Sequence, residues 1–479
     1  MNMKVREKRK PGFLASISMI IVLLALVVYS VRLDISIIPA LVLSICYSLG
    51  VAYYYGYGWD EIMEAVYEKE KGVIGVFFII LMIGMFIAAM MFSGTIPTII
   101  YYIVHVINPA WVIPMTFIIC AVISVLIGTS WGTIGTVGVI MIAIAQSMNV
   151  PIAIVAGAVA SGSHVGQLIS PMSDTANVAA SFAETDTVSM IKRVAVFTIP
   201  TLLFALVGYV VMGISVGGQA ADLSAASAIT SDIQKVFHVS PILILPMVIV
   251  FVMTFLKKPI VQTLGISAII GILFGVVFNG FDFGNGLSAL YSGFSLEKMT
   301  TIPVSSLSDV FVNLCNRGGM TSMISPALLV IVASMYGTIL LHIKALDVIA
   351  DTLFSKLHSR FLLNLAVSVL ATLIIALTSS TFLAAMMPKD LFFKKFNEEG
   401  MDGKDLISSV VAASTQLITC IPWCDTAVFI AGIAGVSTLS YLPYNLMGYG
   451  MVIFAMVFAL LGIGFTKKKE ALKEGSYGF

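Results

Sequence analysis

The sequence predicts an all-α polytopic membrane protein built from two inverted-topology repeats with broken or re-entrant helices. The composition, the length of the apolar runs and a motif that recurs 251 residues later support this fold class. Of the 479 residues, 59% are apolar and 11% are charged, and the mean hydropathy is +1.03, well above that of soluble globular chains. The net charge of +1 gives no reason to expect a nucleic acid as a partner. The lipid bilayer is the expected surrounding.

The apolar runs are mostly about 20 residues long, the length that a helix needs to cross a hydrocarbon core of roughly 30 Å. Strands of a membrane barrel would be shorter and would alternate. A basic arm precedes the first run and no small-x-small cleavage site follows it, so we expect an uncleaved first span. The predicted spans lie near residues 13–31, 35–55, 73–93, 111–127, 191–213, 241–256, 260–278, 324–343, 361–378 and 442–464.

Four segments depart from the simple spanning pattern. Residues 129–190 and 379–438 are apolar but rich in Gly, Ser, Thr and Pro, which favours broken helices. Residues 59–72 predict an amphipathic helix at the membrane surface, and residues 279–322 a long extramembrane loop with some short structure.

An internal repeat emerges when the chain is shifted by 251 residues against itself. The shift places "PMSDTA" (171–176) on "PWCDTA" (422–427), and "LIGTS" (126–130) on "LTSST" (377–381). It also places the run 73–93 on 324–344. We therefore predict a first transmembrane repeat over 1–213, a linker over 214–240 and a second transmembrane repeat over 241–479.

The basic residues that flank the spans predict the orientation of the chain. Lysines and arginines cluster before the first span and after the last one, which places both termini in the cytoplasm. Lys235 is the linker's one basic residue, which suits the outside, whereas Lys257 and Lys258 suit an inside turn. Each half then crosses an odd number of times, so the halves are inverted as in many secondary transporters.

The segment "ISPMSDTAN" (169–177) contains the first candidate site. A carboxylate at the centre of a span costs about 2.5–3.5 kcal/mol on insertion scales, so Asp174 is expected to face water, an ion or a polar partner. Pro171 interrupts the helix and leaves carbonyls unpaired, and such an all-oxygen set suits a hard cation. The alternative is a purely structural helix cap. The candidate ligands around Asp174 are Ser170, Ser173, Thr175 and Asn177, with Asp174, Ser173 and Thr175 predicted to bind Na+.

Further candidates follow from the repeat. Asp425 and Thr426 are the repeat mates of Asp174 and Thr175 in less oxygen-rich surroundings, and a structural role is the alternative. The glycines of "GTSWGTIGTVG" (128–138) suit close helix packing, but its hydroxyls also suit a cavity. His164 suits proton transfer or pH sensing, or simple packing. The remaining candidates are Thr129, Ser130 and Ser163 in the first repeat, and Ser379, Ser380 and Thr381 in the second.

The combination of "GTSWGTIGTVG" and "SPMSDTAN" (170–177) resembles the NhaC-type Na+/H+ antiporter family of the ion transporter superfamily. The resemblance implies a multi-pass exchanger of Na+ for H+ in the bacterial plasma (inner) membrane. It also implies inverted repeats, and some relatives exchange organic acids such as malate and lactate. The family patterns fall on residues 128–133 and 170–175, with Gln167 where many relatives carry an acidic residue.

The predicted function is alternating-access antiport in which Na+ and H+ compete for a midplane carboxylate, Asp174. The first alternative is a Na+- or H+-coupled transporter or exchanger of a small organic anion or amino acid. A remote alternative is an intramembrane enzyme with Asp174 and Asp425 as a dyad. The sequence shows neither a nucleotide-binding glycine-rich loop nor a zinc-protease helix motif. We therefore expect no enzyme activity and no cofactor beyond the coupling ions, and a homodimer is left open.

Overall fold

The computed structural model describes residues 8–104, 106–220, 223–354, 357 and 359–464. Within these residues the regular structure is helical and contains no strand, which confirms the all-α class. Ten of the described helices are long and apolar enough to cross a membrane, or up to twelve if each of two bent helix pairs is one span. The predicted basic clusters at Lys4, Arg6 and residues 467–469 lie outside the described residues.

The helices of the first half begin with two spans and a long third helix, and later become shorter. In chain order they are α1 (Phe13–Arg32), α2 (Ile38–Tyr54), α3 (Trp59–Phe92), α4 (Thr95–Val104), α5 (Pro109–Ile127), α6 (Ser130–Thr133), α7 (Val139–Ser147), α8 (Ile152–Ser163), α9 (Val165–Ile169), α10 (Asp174–Phe182) and α11 (Thr187–Ala220). A π-helical turn, Ile134–Gly138, joins α6 to α7 in one span.

The helices of the second half follow the same alternation of long and broken spans. They are α12 (Leu223–Val236), α13 (Leu245–Phe255), α14 (Ile260–Asn279), α15 (Phe283–Ser292), α16 (Leu296–Met299), α17 (Asp309–Cys315), α18 (Ile324–His342), α19 (Ala345–Phe354), α20 (Arg360–Thr378), α21 (Thr381–Glu398), α22 (Gly403–Leu417), α23 (Asp425–Ala434), α24 (Thr438–Tyr441) and α25 (Leu446–Leu461).

The polar segment 59–72 is not a separate surface helix, and that prediction is wrong. It forms the first turns of α3, a single helix of 34 residues. Ile62 and Val66 are buried and continue the apolar face of the span toward its start. Glu61 in the first turn accepts from Lys8 at 2.9 Å and contacts His342 at 3.1 Å. Packing and ion pairing therefore hold the polar turns in line with the rest of the helix.

The segment 279–322 contains the predicted short structure, as helices α15, α16 and α17. Aromatic rings hold these helices against the spans. The rings of Phe92 and Phe281 lie 5.2 Å apart, and Phe237 lies 5.7 Å from Phe294 and 6.4 Å from Phe311. The linker segment is also largely helical, because α11 extends to Ala220 and α12 follows.

Helix boundaries recur in the register of 251 residues. Helices α5 and α20 begin and end 251 residues apart, and so do the span Ser130–Ser147 and helix α21. Helices α8 and α10 begin 251 residues before α22 and α23. The residues that end α5 and α20, Gly128 (φ 82) and Ser379 (φ 49), are both left-handed. Ser379 has a Cβ and still adopts the left-handed conformation that its repeat mate Gly128 adopts.

A buried hydrogen-bond network joins the two halves. The hydroxyl of Ser161 in α8 donates to Asn445 Oδ1 at 2.9 Å and lies 2.7 Å from the Tyr209 hydroxyl. Asn445 Nδ2 donates to Thr419 Oγ1 at 2.5 Å, and the Tyr441 hydroxyl donates to the Thr419 carbonyl at 2.7 Å. A membrane offers no water to these groups, so the network fixes the end of α22 against α8.

Gly337 tests how tightly the spans pack. A Cβ at this position in α18 would lie 1.4 Å from the Leu377 carbonyl oxygen of α20. We expect Gly337→Ala to lower the free energy of unfolding by about 1–3 kcal/mol or more, because backbone must move. Gly50→Ala is the control, since nothing lies within 4 Å of its Cβ position. Thermal unfolding in detergent measures both, and equal stabilities would contradict the packing described.

Candidate functional site

The first helix break places Asp174 at the start of a helix. Helix α9 ends at Ile169, and Ser170 (ψ 129) and Ser173 (ψ 129) are extended before α10 begins at Asp174. Pro171 lies in the turn between them, which the Ser173 amide closes by donating to the Ser170 carbonyl at 3.1 Å, and Pro171 itself has no amide hydrogen to donate. The carboxylate is therefore held beside backbone groups that a continuous helix would have paired internally.

A second chain segment lies directly against this break. Gly128 ends α5 in the left-handed region, and a Cβ there would lie 2.7 Å from the Met172 carbonyl carbon. Glycine satisfies both the positive φ and the close approach. The motif "GTSWGT" and the motif "SPMSDT" are thus adjacent in space, as their shared role in the predicted site requires.

Two of the predicted ligands support the break itself. Ser170 Oγ donates to the Val125 carbonyl of α5 at 2.7 Å and accepts from the Met172 amide at 3.3 Å. Ser173 Oγ accepts from the Ala176 amide at 3.2 Å, as an N-cap, and donates to the Gln167 carbonyl at 3.2 Å. Both side chains are buried. Each hydroxyl donates one hydrogen bond and accepts one, so both hold the turn in place and each keeps a single lone pair.

The carboxylate of Asp174 lines a small cavity between the two halves. This hydroxyl cavity has a volume of about 110 Å³ and its polar lining is Asp174, Thr175, Thr381, Ser414 and Thr415. Ser414 Oγ donates to the Val410 carbonyl at 2.8 Å, which leaves its lone pairs free. Thr415 Oγ1 is buried and has no hydrogen-bond partner among the described residues. The donors therefore come from three helices, α10, α21 and α22.

Asp174 also lines a larger cavity on its other side. This lysine cavity has a volume of about 330 Å³, and its polar lining comprises Thr129, Asp174, Thr254, Lys257 and Lys258. Asp174, Lys257 and Lys258 are exposed. Asp174 thus belongs both to a cavity with exposed charged residues and to a smaller one between the two halves.

Other predicted residues of the first repeat lie near this region but are not part of either lining. Ser130 Oγ and His164 Nε2 are buried without a hydrogen-bond partner in the described part of the chain. His164 Nδ1 lies 3.1 Å from the Ala160 carbonyl and 3.1 Å from Ser163 Oγ. Asn177 is exposed and accepts from Thr187 Oγ1 at 2.8 Å.

The second break has a different arrangement. Asp425 begins α23, and its Oδ1 accepts from the Thr426 amide at 2.6 Å and from Thr426 Oγ1 at 3.1 Å. Ser380 Oγ caps α21 by accepting from the Leu383 amide at 3.3 Å. Asp425 lines neither the hydroxyl cavity nor the lysine cavity. These cavities therefore do not bring the two aspartates together as a catalytic dyad.

Sequence reasoning did not select Thr415 and Thr254. Both belong to helices with scattered hydroxyls, and Ser414 beside Thr415 is the repeat mate of the candidate Ser163 in the 251-residue register. Gln416 is fully buried, and both of its side-chain polar atoms lack a partner among the described residues. A hydroxyl-rich stretch, "SSVVAASTQL" (408–417), was the available signal.

The donor set around Asp174 suits a hard monovalent cation. It consists of one carboxylate and the hydroxyls of Thr175, Thr381, Ser414 and Thr415. The described residues contain no group of three or more His, Cys, Asp or Glu that could hold a metal ion. Oxygen ligands with a single negative charge match Na+ better than a transition metal, which favours nitrogen or sulfur.

A helical membrane protein with a carboxylate at a helix break, and with hydroxyls from both halves of the chain around it, has features of a secondary transporter. The sequence profile of the Na+/H+ antiporter family matches residues 10–214 and 165–463. The two matched ranges together cover most of the chain, and the chain belongs to this family.

Individual relatives agree with this assignment. The chain is 31% identical to the malate-2H(+)/Na(+)-lactate antiporter of Bacillus subtilis, over 98% of this chain and 99% of the relative. It is 27% identical to the Na(+)/H(+) antiporter NhaC of Alkalihalophilus pseudofirmus, over 97% and 99%. It is also 28% identical to the arginine/ornithine antiporter ArcD of Halobacterium salinarum, over 88% and 85%.

Gly128 tests the contact between the two motifs. We expect Gly128→Ala to abolish Na+-dependent proton movement in proteoliposomes, because it combines backbone strain with a clash against Met172. Gly280→Ala is the matched control: it has a positive φ of 69 but open space around its Cβ position. It is expected to cost about 1 kcal/mol and to keep transport. Full activity of Gly128→Ala would show that the motifs "GTSWGT" and "SPMSDT" need not touch.

Proposed function

We propose that this protein exchanges Na+ for H+ across the bacterial plasma membrane by alternating access, with Asp174 as the shared site. One observation carries the proposal: Asp174 lines both the exposed lysine cavity and the hydroxyl cavity between the repeats. A group in that position can take an ion from one side and present it to a compartment formed by both halves.

The chemistry of exchange follows from a single carboxylate. A proton on Asp174 removes the negative charge that binds Na+, so the two ions exclude one another. Thr175, Thr381 and Thr415 supply neutral oxygens for Na+. An empty carboxylate is costly to carry through a low-dielectric barrier, so the site changes sides only when loaded. Obligatory exchange follows from this cost.

The inverted arrangement of the repeats is part of the proposal. The Ala183 carbonyl, just after α10, lies 3.2 Å from the Cβ position of Gly403 at the start of α22. Gly432, near the end of α23, lies against Met323 at the start of α18. Helices α22 and α23 form one broken span, Gly403–Ala434. The helices that follow the two breaks, α10 and α23, therefore run toward opposite ends of that span.

The lysine cavity is assigned to the cytoplasmic side, because Lys257 and Lys258 follow the positive-inside rule. Both termini are then cytoplasmic and the helical linker is extracytoplasmic. Gln146 lies near the opposite end of the span Ser130–Ser147, about 24 Å from Ser130 at 1.5 Å per residue. The cavity that contains Gln146 is thus assigned to the outside.

The site assignment predicts a large effect of removing one charge. We expect Asp174→Asn to reduce Na+-driven proton movement to background, and Asp174→Glu to retain part of it. The measurement uses proteoliposomes with an internal pH dye. Asp390→Asn is the control, because Asp390 is an exposed carboxylate on α21. Normal exchange by Asp174→Asn would refute the assignment.

Competition between the two ions predicts a particular pH dependence. Where protons occupy the site, each unit of decreasing pH raises the apparent KM for Na+ by up to about tenfold while kcat at saturating Na+ changes little. Initial rates over a series of Na+ concentrations at several pH values measure this. A KM that stays constant while kcat falls would indicate that Na+ and H+ bind at separate sites.

A further inference from the structure

A third cavity lies at the far end of the span that starts beside Asp174. This arginine cavity has a volume of about 510 Å³, within the range of small-molecule sites. Among the described residues that line it, Arg317 carries the one charge, and no aspartate or glutamate is present. Its other polar lining residues are neutral, namely Gln146, Ser292, Ser295, Asn313, Asn316 and Ser322.

The Arg317 side chain donates hydrogen bonds to neutral acceptors in both halves of the chain. One guanidinium nitrogen donates to Gln146 Oε1 of α7, and the other donates to the Ile433 carbonyl of α23 at 2.8 Å. The guanidinium has five N–H groups, so three remain for another acceptor. No carboxylate lies within 4 Å of Arg317 in the described part of the chain. Burial lowers the pKa of Arg317 to about 10, and no acidic group offsets this cost.

The backbone around Arg317 is fixed rather than loose. Its carbonyl accepts from the Phe294 amide at 3.1 Å, and its own amide donates to the Cys315 carbonyl at 2.8 Å. The Gly319 amide, two residues on, donates to the Gly84 carbonyl of α3 at 2.7 Å. Asn316 accepts from the Leu296 amide through Oδ1, which leaves its NH2 group as a donor. The cavity therefore presents a held cation with neutral donors beside it.

A cation-conducting entrance would be expected to carry acidic side chains, which concentrate Na+ near the site. The arginine cavity has the opposite charge. Capping of the α23 C-terminus explains the bond to Ile433, because a cation there offsets the helix dipole. It does not explain a cavity of this size with amide and hydroxyl donors around the remaining N–H groups of Arg317.

We propose that the arginine cavity binds the carboxylate of a small organic acid, with Arg317 as its anchor and Asn313 and Asn316 as neutral donors. A planar guanidinium pairs with a carboxylate through two parallel hydrogen bonds. The proposal goes beyond Na+/H+ exchange and takes from the proposed function only the assignment of this cavity to the outside. It makes organic anions ligands of this chain, as cargo or as modulators.

The test uses the purified full-length protein in detergent, with L-malate and L-lactate as probes and sodium chloride at equal ionic strength as the reference. We expect a saturable rise in the thermal unfolding midpoint with at least one of the two carboxylates. Arg317→Gln should weaken this binding by about tenfold or more, and Arg317→Lys by less. Lys298→Gln is the control, because Lys298 is an exposed cation in the same segment that does not line the cavity.

Asn313→Asp provides a variant that does not remove Arg317. Asn313 is exposed, so its substitution should not prevent folding, and the new carboxylate should repel the probe or occupy Arg317 itself. We expect it to weaken malate or lactate binding by about tenfold as well. Unchanged binding in both Arg317→Gln and Asn313→Asp would overturn the proposal. The proposal would also be overturned if neither carboxylate raises the unfolding midpoint of the wild-type protein, or if sodium chloride alone raises it.

Na+/H+ exchange is measured separately on the same preparations. Asp174→Asn is expected to lose exchange and to keep carboxylate binding, because the two cavities lie at opposite ends of one span. If the wild-type protein binds a carboxylate but shows no Na+/H+ exchange, the result counts against the proposed function alone. Loss of carboxylate binding by Asp174→Asn with normal folding would count against a separate anion site. Radiolabelled malate uptake then distinguishes cargo from modulator.

Discussion

The structure depends on how it satisfies backbone groups at helix breaks inside a membrane. Where such a group is buried it finds no water there, and leaving it unpaired costs several kcal/mol. Side chains meet this constraint at equivalent places in the two halves: Ser170 donates to the Val125 carbonyl at 2.7 Å, and Trp423 Nε1 donates to the Ala376 carbonyl at 2.5 Å. Val125 and Ala376 are repeat mates in the 251-residue register. Side-chain hydrogen bonds therefore hold both breaks at equivalent positions of the two halves.

The two breaks solve this constraint with different residues, and the difference separates their roles. The first uses small hydroxyls and leaves Asp174 exposed to two cavities. The second fills the space with Trp423, and the Asp425 carboxylate accepts from its neighbour Thr426. A locally satisfied carboxylate gains less from binding an ion. The recurring motif thus forms a helix break in both halves, while the geometry favours ion binding at Asp174.

Much of the fold could be predicted because hydropathy and the 251-residue register can both be read directly from the sequence. The helices α5 and α20 end where the matched motifs predict, and Ser379 shares the left-handed backbone of Gly128. The register cannot show which face of α22 meets α10, so Thr415 was not selected. Arg317 was missed for a similar reason: its position depends on a loop that is held against Gly84 by a long-range hydrogen bond. Composition alone also could not show that buried positions on α3 continue through its polar turns.

The central claim is that one ion site is shared between the repeats, and a double-mutant cycle on Na+ affinity tests it most directly. Thr175 and Thr415 belong to different halves and line the same cavity. Thr175→Val and Thr415→Val each remove a hydroxyl while keeping the side-chain shape. If both hydroxyls coordinate one Na+, the double variant differs from the sum of the single effects by about 0.5 kcal/mol or more. Strictly additive changes in the Na+ binding free energy, obtained as RT ln Kd, would show that the two halves do not share a site.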